Sequence, residues 1–100
     1  MPDPRIHPIV SVDDTFATVG AVTTIVRVLN MHRAELDLVN DSTQDIYLGF
    51  GNDAVIGSGK MLSSSGGSYH MGPENLFHGI INAICADGQA NLCISEGNMI

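Results

Sequence analysis

A regular alternation of apolar side chains in two neighbouring segments constrains the fold of this chain most. Every second side chain is apolar in RAELDLVN, residues 33–40, and in DIYLGF, residues 45–50: Ala34, Leu36, Leu38, Ile46, Leu48 and Phe50. A period of two is typical of a β-strand with one buried face. The polar segment between them, residues 40–45, has a turn composition. The pattern predicts two strands joined as a hairpin.

Strand and turn signals recur along the rest of the chain. Residues 23–30, TTIVRVLN, are dense in β-branched side chains, and residues 59–71 contain two short apolar stretches around a Ser/Gly turn. One hundred residues are enough for one domain with a modest core. We predict an all-β fold, a single antiparallel β-sandwich of Greek-key, Ig-like or jelly-roll-like type, over residues 18–100.

Residues 72–88, GPENLFHGIINAICADG, are compatible with two structures. A helix would hold Pro73 in its first turn and end at Gly88, with apolar residues at helical spacing. A hairpin would instead turn at Asp87 and Gly88, a favoured two-residue type I′ turn. Gly79 is costly inside a helix, which favours the hairpin.

The hairpin implies a specific pairing of its two strands. Cys85 would face Ala90, Ala83 would face Leu92 and Ile81 would face Ile94, and all six are apolar. Such a clean split is not expected of a wrong register, and we therefore favour the hairpin. The same register puts Cys85 and Cys93 on opposite faces. It predicts two reduced, mostly buried thiols without an intramolecular disulfide.

The N-terminal residues 1–17 are predicted to form an extended arm, because Pro2, Pro4 and Pro8 prevent a helix there. Two interpretations stay open, a frayed terminus and an arm that docks on a neighbouring subunit. The segment begins with acids and prolines, unlike a signal peptide, and no apolar stretch is long enough to cross a bilayer. We expect a soluble protein that is synthesised in a cytoplasm.

The charge of the chain limits its partners. The formal net charge is −7, and the four basic residues are scattered at Arg5, Arg27, Arg33 and Lys60. Scattered cations cannot form a patch that neutralises phosphates, so we expect no nucleic-acid partner and no membrane partner.

A glycine-rich segment, residues 49–60, contains two partial nucleotide-binding motifs. Gly49, Gly51 and Ala54 match one form of the dinucleotide fingerprint, and GSGK resembles the tail of a phosphate loop. The fingerprint needs a helix directly after it, but Gly57 and Gly59 fall there. The phosphate loop needs a hydroxyl side chain at position 61, which is Met61. We interpret these glycines as tight turns and predict no cofactor.

Chemical signatures are weak elsewhere. The four histidines, His7, His32, His70 and His78, lack a metal-ligand spacing, although a strand-borne site with His70 and His78 stays open. The acids of residues 40–45 lack the alternation of a calcium loop. The serine-rich residues 63–68 lack a recognisable base. We predict no catalytic residues, no metal and no enzyme.

Residues 33–96 resemble a group of small bacteriophage virion β-domains. The shared pattern begins with Arg33, alternating apolar residues to Asn40 and a polar turn. It continues with Ile46-Tyr47-Leu48-Gly49 and a glycine-containing loop, then Gly67-Ser68-Tyr69, Gly79-Ile80, Ala83-Ile84, Gly88, Ala90, Leu92 and a closing Glu96. The resemblance implies an antiparallel β-sandwich in the virion, with no catalytic residues.

Within that group, an acidic domain without a basic face suits the outer surface of a capsid rather than its DNA-lined interior. The expected function is capsid decoration, as a cement protein that binds the mature shell across joints between major capsid subunits. The arm would supply the contacts, through Arg5, Ile6, His7, Ile9 and Val10. A homo-oligomer, with a trimer as the expectation, is implied. The alternative is a tail or head-fibre adaptor or receptor-binding module in few copies, and a glycan hydrolase ranks last.

Overall fold

The computed structural model describes residues 11–87 and 89–99. These residues contain strands and no helix. The strands are β1 (Ser11–Val19), β2 (Thr24–Arg27), β3 (Arg33–Asn40), β4 (Ile46–Phe50), β5 (Lys60–Leu62), β6 (Ser68–Met71), β7 (Ile81–Cys85) and β8 (Ala90–Asn98). The prediction of an all-β chain is confirmed.

The strands form two antiparallel sheets that pack face to face. Sheet A has the order β1-β8-β3-β6, and sheet B has the order β2-β7-β4-β5, with four strands in each. The predicted β-sandwich is therefore confirmed, and this strand order is that of a jelly roll.

The topology is that of one long hairpin rolled into a sandwich. Strand β1 pairs with β8, β2 with β7, β3 with β6 and β4 with β5, and all four pairs are antiparallel. The turn of this long hairpin is the glycine-rich segment 49–59, between the pair formed by Leu48 and Lys60. Rolling then brings β3 beside β8 and β4 beside β7.

The core lies between the two sheets and is built from the inward side chains of both. Its fully buried members come from alternate positions of β3, β4, β7 and β8: Leu36, Leu38, Ile46, Leu48, Ile81, Ala83, Cys85, Ala90, Leu92 and Ile94. The faces predicted from the alternation are thus confirmed for these four strands.

The two predicted hairpins are wrong. Strands β3 and β4 lie in different sheets, and so do β7 and β8. The segments after β3 and β7 cross from one sheet to the other. Ala83 pairs with Leu48 of β4, and Leu92 pairs with Asn40 of β3. Alternation fixes which side chains share a buried face, but two strands that face each other across a core satisfy it as well as two neighbours do.

The strand interpretation of residues 81–85 is confirmed, and the helix alternative is wrong. Cys85 points into the core from sheet B, while Cys93 lies on the outward face of sheet A opposite Phe16. Both are thiols, and Cys93 is half-buried. The absence of a disulfide between them is as predicted, although the reason is their placement in different sheets rather than opposite faces of one hairpin.

Part of the segment predicted as an arm belongs to sheet A. Residues 11–17 form most of β1, which pairs with β8 from Ser11 opposite Asn98 to Val19 opposite Ala90. Residues 1–10 lie outside the described part of the chain, and so do Arg5, Ile6, His7, Ile9 and Val10.

Glycine is required in the turn of the long hairpin. Gly51, Gly57 and Gly59 all have φ between 76° and 82°, a region that side chains with a Cβ avoid. At Gly59 a Cβ would also lie 2.4 Å from the carbonyl oxygen of Leu48. The interpretation of Gly51, Gly57 and Gly59 as turn residues is confirmed.

Candidate functional site

One end of the sandwich gathers several connections around the first residue of β3. We call it the Arg33 end, and it comprises the start of β1, the end of β8 and the loops 28–32 and 72–80. The opposite end, around the last residue of β3, is the Asn40 end. Both Arg33 and Asn40 are fully buried, so each end of β3 carries a polar side chain that must find partners inside the protein.

Arg33 is held by an ion pair and by backbone carbonyls. Its Nε donates to Oε2 of Glu96 over 2.6 Å, and the Arg33 side chain has no exposed surface. Nη1 donates to the carbonyl oxygen of Phe77 over 2.7 Å, and Nη2 donates to that of Val28 over 2.9 Å. One guanidinium therefore fixes the two loops of this end, as its planar array of donors allows.

Glu96 receives a second cation from the neighbouring sheet. Nη1 of Arg27, in β2, donates to Oε1 of Glu96 over 3.1 Å. The Glu96 side chain is only 7% exposed, whereas Arg27 is 23% exposed. The carboxylate thus joins β8 to both β2 and β3, which lie in different sheets, and it is satisfied on both oxygens.

Uncharged contacts complete the attachment of loop 28–32. The Asn30 side chain donates to Oδ1 of Asn98 over 2.6 Å, and its backbone N–H donates to the carbonyl oxygen of His78. The N–H of Met99 donates to the carbonyl oxygen of His32. The loop is therefore fixed along its length to β8 and to loop 72–80.

This fixed loop presents apolar side chains to solvent. Val28 is 69% exposed, and Leu29 and Met31 are exposed to a similar extent. Apolar side chains that a rigid backbone holds in solvent are typical of protein contact sites, since little chain entropy is lost when they are covered. We call Val28, Leu29 and Met31 the apolar loop.

The apolar loop lies where the N-terminal segment joins the domain. Ser11 pairs with Asn98, whose side chain accepts the hydrogen bond from Asn30. Ser11, the first described residue of β1, therefore lies at the Arg33 end near the apolar loop. The sequence did not single out this loop, because its three apolar residues read as the continuation of strand β2.

The sequence patterns also did not predict the ion pair between Arg33 and Glu96. The signal was present: in β8, Glu96 falls at the next inward position after Leu92 and Ile94, and it lies opposite the core residue Leu36. An acid at a core-facing position needs a buried cation. Only the rolled topology shows that Arg33, far away along the chain, supplies it.

The Asn40 end is held without charge. The Asn40 side chain donates to the carbonyl oxygens of Gln44 and Leu62, over 2.6 and 2.9 Å, and accepts from the Ser42 hydroxyl. Its backbone exchanges hydrogen bonds with Gly66 and Gly67. The loops that it fixes expose polar residues, as the predicted turn composition of residues 40–45 implies.

A third polar site lies on the outward face of sheet A. Nδ1 of His70, in β6, lies 2.5 Å from Oδ1 of Asp37, its direct partner in β3. The hydrogen bond to Asp37 raises the pKa of His70 above 6.5; desolvation opposes this rise, and the negative charges of Asp37 and Glu35 add to it. Because both side chains are largely exposed, water weakens this ion pair.

A shallow cleft of about 470 Å³ lies beside the turn of the long hairpin. Its lining combines Phe50 with the polar side chains of Asn52, Asp53, Ser58 and Lys60. Within residues 11–87 and 89–99, no three histidine, cysteine or acidic side chains are grouped as a metal site requires. No helix in that part of the chain is long and apolar enough to span a membrane.

Comparison with known proteins gives no relative. No family model matches the chain, and neither a curated protein nor a solved structure matches it significantly.

Proposed function

We propose that this chain is a structural protein of a bacteriophage virion that decorates the outer surface of the mature capsid. The observation that carries the proposal is the apolar loop, which a buried ion pair fixes in solvent at the end where the N-terminal segment joins the domain. The resemblance of residues 33–96 to virion β-domains supplies the setting. Jelly rolls are frequent in viral capsid proteins, but a fold alone does not assign a function.

The Arg33 end has the chemistry of a protein contact. Val28, Leu29 and Met31 offer apolar surface. Three further apolar residues, Ile6, Ile9 and Val10, precede Ser11 in the chain, and Ser11 lies at the same end. Covering these groups with the major capsid protein would remove apolar area from water, which favours binding by about 25 cal/mol for each Å². In this proposal the apolar loop and the residues before Ser11 contact two neighbouring shell subunits.

The charge distribution favours the exterior of the shell. The strands of sheet A carry five acidic residues, Asp13, Asp14, Glu35, Asp37 and Glu96, and those of sheet B carry none. Of these, Asp14, Glu35 and Asp37 lie on the outward face of sheet A. An acidic face is repelled by packaged DNA and tolerated in solvent. Bound by its Arg33 end, the domain holds that face away from the DNA.

Stabilisation of the shell follows from mass action. A protein that binds the expanded shell and not its immature or disrupted forms lowers the free energy of the expanded form. The stabilisation grows with the number of occupied sites, so a decoration protein is useful only in many copies.

Copy number therefore tests the proposal. Quantitative mass spectrometry of purified virions of the phage that encodes the chain would compare it with the major capsid protein. We expect a number approaching that of the shell subunit. A few copies per virion would favour the tail or head-fibre alternative, in which the cleft beside Phe50 is the place to look for a receptor glycan. Absence from virions would contradict both.

A further inference from the structure

The cleft beside the turn of the long hairpin has a fixed backbone. It is lined by the end of β4, by residues of the turn and by the first residue of β5. The buried side chain of Asn82 donates to the carbonyl oxygen of Asn52 over 2.6 Å. The N–H of Ala54 donates to the hydroxyl of Thr23 over 2.9 Å. A ligand in the cleft therefore meets a wall that is already ordered, which lowers the entropy lost on binding.

Four polar side chains line the cleft without a protein partner of their own: Asn52, Asp53, Ser58 and Lys60. All four are exposed. In the part of the chain that the structure describes, none of these side chains forms a hydrogen bond or an ion pair with the protein. Lys60 makes one weaker contact, with its Nζ 5.8 Å from the centre of the Tyr69 ring. The polar groups of the cleft are thus available to a ligand, unlike those of the buried networks at the two ends of β3.

The chemistry of these four groups restricts the ligand. The Lys60 ammonium only donates hydrogen bonds, the Asp53 carboxylate only accepts them, and the amide of Asn52 and the hydroxyl of Ser58 do both. A ligand that satisfies the cleft must itself both donate and accept. An anion would be repelled by Asp53 and by a chain that carries −7, and a cation would be repelled by Lys60. A neutral ligand rich in hydroxyl groups meets neither penalty.

An aromatic ring supplies the apolar part of the lining. Phe50 is half-buried and belongs to the cleft. Its ring centre lies 5.5 Å from that of Tyr69 and 5.7 Å from that of Phe77, which meets it edge-on at 82°. These two neighbours fix the orientation of the Phe50 ring. The ligand must therefore offer an apolar face in addition to its hydroxyl groups.

We propose that this cleft binds a neutral pyranose ring, with its C–H face on Phe50 and adjacent hydroxyl groups hydrogen-bonded to Asp53 and Lys60. Each sugar hydroxyl both donates and accepts, and hydrogen bonds to charged groups are the stronger ones. The cleft volume of about 470 Å³ falls within the range of about 300–1,000 Å³ that is usual for small-molecule sites. The apolar loop does not line the cleft, so saccharide binding and shell binding can fail independently.

Titration of the full chain with methyl glycosides of glucose, galactose and mannose tests the proposal, followed by two-dimensional NMR of the amide groups. We expect at least one of them to shift the amide signals of residues 48–60 and to saturate, with a dissociation constant of about 1 mM for a ligand of this size. Glycerol is the control ligand, since it carries adjacent hydroxyl groups but no ring face. It should give no saturable shift.

Two variants locate the sugar in the cleft. Asp53→Asn and Lys60→Met alter exposed side chains, so both preserve the fold, and each should raise the dissociation constant about tenfold. Asp41→Asn makes the same charge change at an exposed carboxylate of the Asn40 end and should bind as the wild type does. Failure of all three glycosides to give a saturable shift would overturn the proposal. Wild-type affinity in both cleft variants, or a glycerol response equal to that of the glycosides, would overturn it as well.

Discussion

The two ends of strand β3 each carry a buried polar side chain that fixes the neighbouring loops, but the interactions differ. Arg33 and Asn40 are both fully buried, and each fixes the loops at its end of the sandwich through side-chain N–H donors. At the Arg33 end the network contains an ion pair with Glu96, and the fixed loop exposes apolar side chains. At the Asn40 end the network is neutral, and the loops that Asn40 fixes, 41–45 and 63–67, expose polar side chains.

The difference shows where this small protein uses its strongest interactions. A polar loop gains enough from water to keep its place with a few neutral hydrogen bonds. An apolar loop in solvent has the opposite tendency, since collapsing onto the protein surface would bury its side chains. Carbonyl oxygens held by a buried guanidinium resist that collapse. The comparison predicts that substitutions in the network of the Arg33 end lower the free energy of unfolding more than substitutions in the network of the Asn40 end.

The largest effect is expected at the ion pair. Glu96→Gln leaves Arg33 as a buried cation without its carboxylate, which should lower the free energy of unfolding by about 3–5 kcal/mol. Urea denaturation measures it. Glu74→Gln, at an exposed glutamate of the same end, is the control and should change stability by less than about 0.5 kcal/mol. A loss below about 1 kcal/mol for Glu96→Gln would contradict the account.

The neutral end should lose less. Asn40→Ala removes the donor to the buried carbonyl oxygen of Leu62 and one of the donors to the part-buried carbonyl oxygen of Gln44, which should cost about 2 kcal/mol. Asn91→Ala, at a half-buried asparagine of β8, is the matched control. If Asn40→Ala proved as costly as Glu96→Gln, charge would not distinguish the two ends.

Two glycines in the turn of the long hairpin separate crowding from backbone strain. Gly57 and Gly59 both have positive φ, but only Gly59 has a backbone oxygen where its Cβ would lie. Gly57→Ala should cost about 1 kcal/mol for the left-handed conformation alone. Gly59→Ala should cost about 1 kcal/mol more, in the same urea experiment. Equal losses would mean that the turn relaxes away from Leu48.

The smallest effect is expected from the exposed pair between the two ends. Since Asp37 raises the pKa of His70, the pair stabilises the fold below pH 6.5 and ceases to do so as the pH rises through the pKa of folded His70. The change in the free energy of unfolding should stay under about 1 kcal/mol. It should become much smaller in Asp37→Asn, in which only the weaker effect of Glu35 still raises the pKa of His70. An NMR titration that gives His70 a pKa of 6.5 or lower would contradict this.

The sequence predicted which face of each strand is buried better than it predicted which strands pair with each other. Alternation in residues 33–40 and 46–50 identified the side chains that enter the core, and the glycines of residues 49–59 were identified as turns. Strand pairing was wrong because short polar segments read as hairpin turns, whereas those after β3 and β7 cross between sheets. No local signal distinguishes the two, because both satisfy the same buried face.

The candidate site was largely beyond prediction. Arg33 and Glu96 are the first and last residues of the sequence pattern that resembles virion β-domains. Their contact, however, depends on β3 and β8 becoming neighbours when the long hairpin is rolled into a sandwich. The apolar loop had the composition of a strand and became a loop because β2 ends at Arg27. Both features depend on contacts far apart along the chain, which local patterns do not encode.

Two valines at opposite ends of the molecule test the central claim most directly. Val28 in the apolar loop is 69% exposed, and Val22, between β1 and β2 at the Asn40 end, is 73% exposed. The measurement is the affinity of Val28→Asp and Val22→Asp for expanded shells that lack the protein. We predict at least a tenfold loss for Val28→Asp and wild-type affinity for Val22→Asp. Equal affinities would show that the Arg33 end does not dock on the shell.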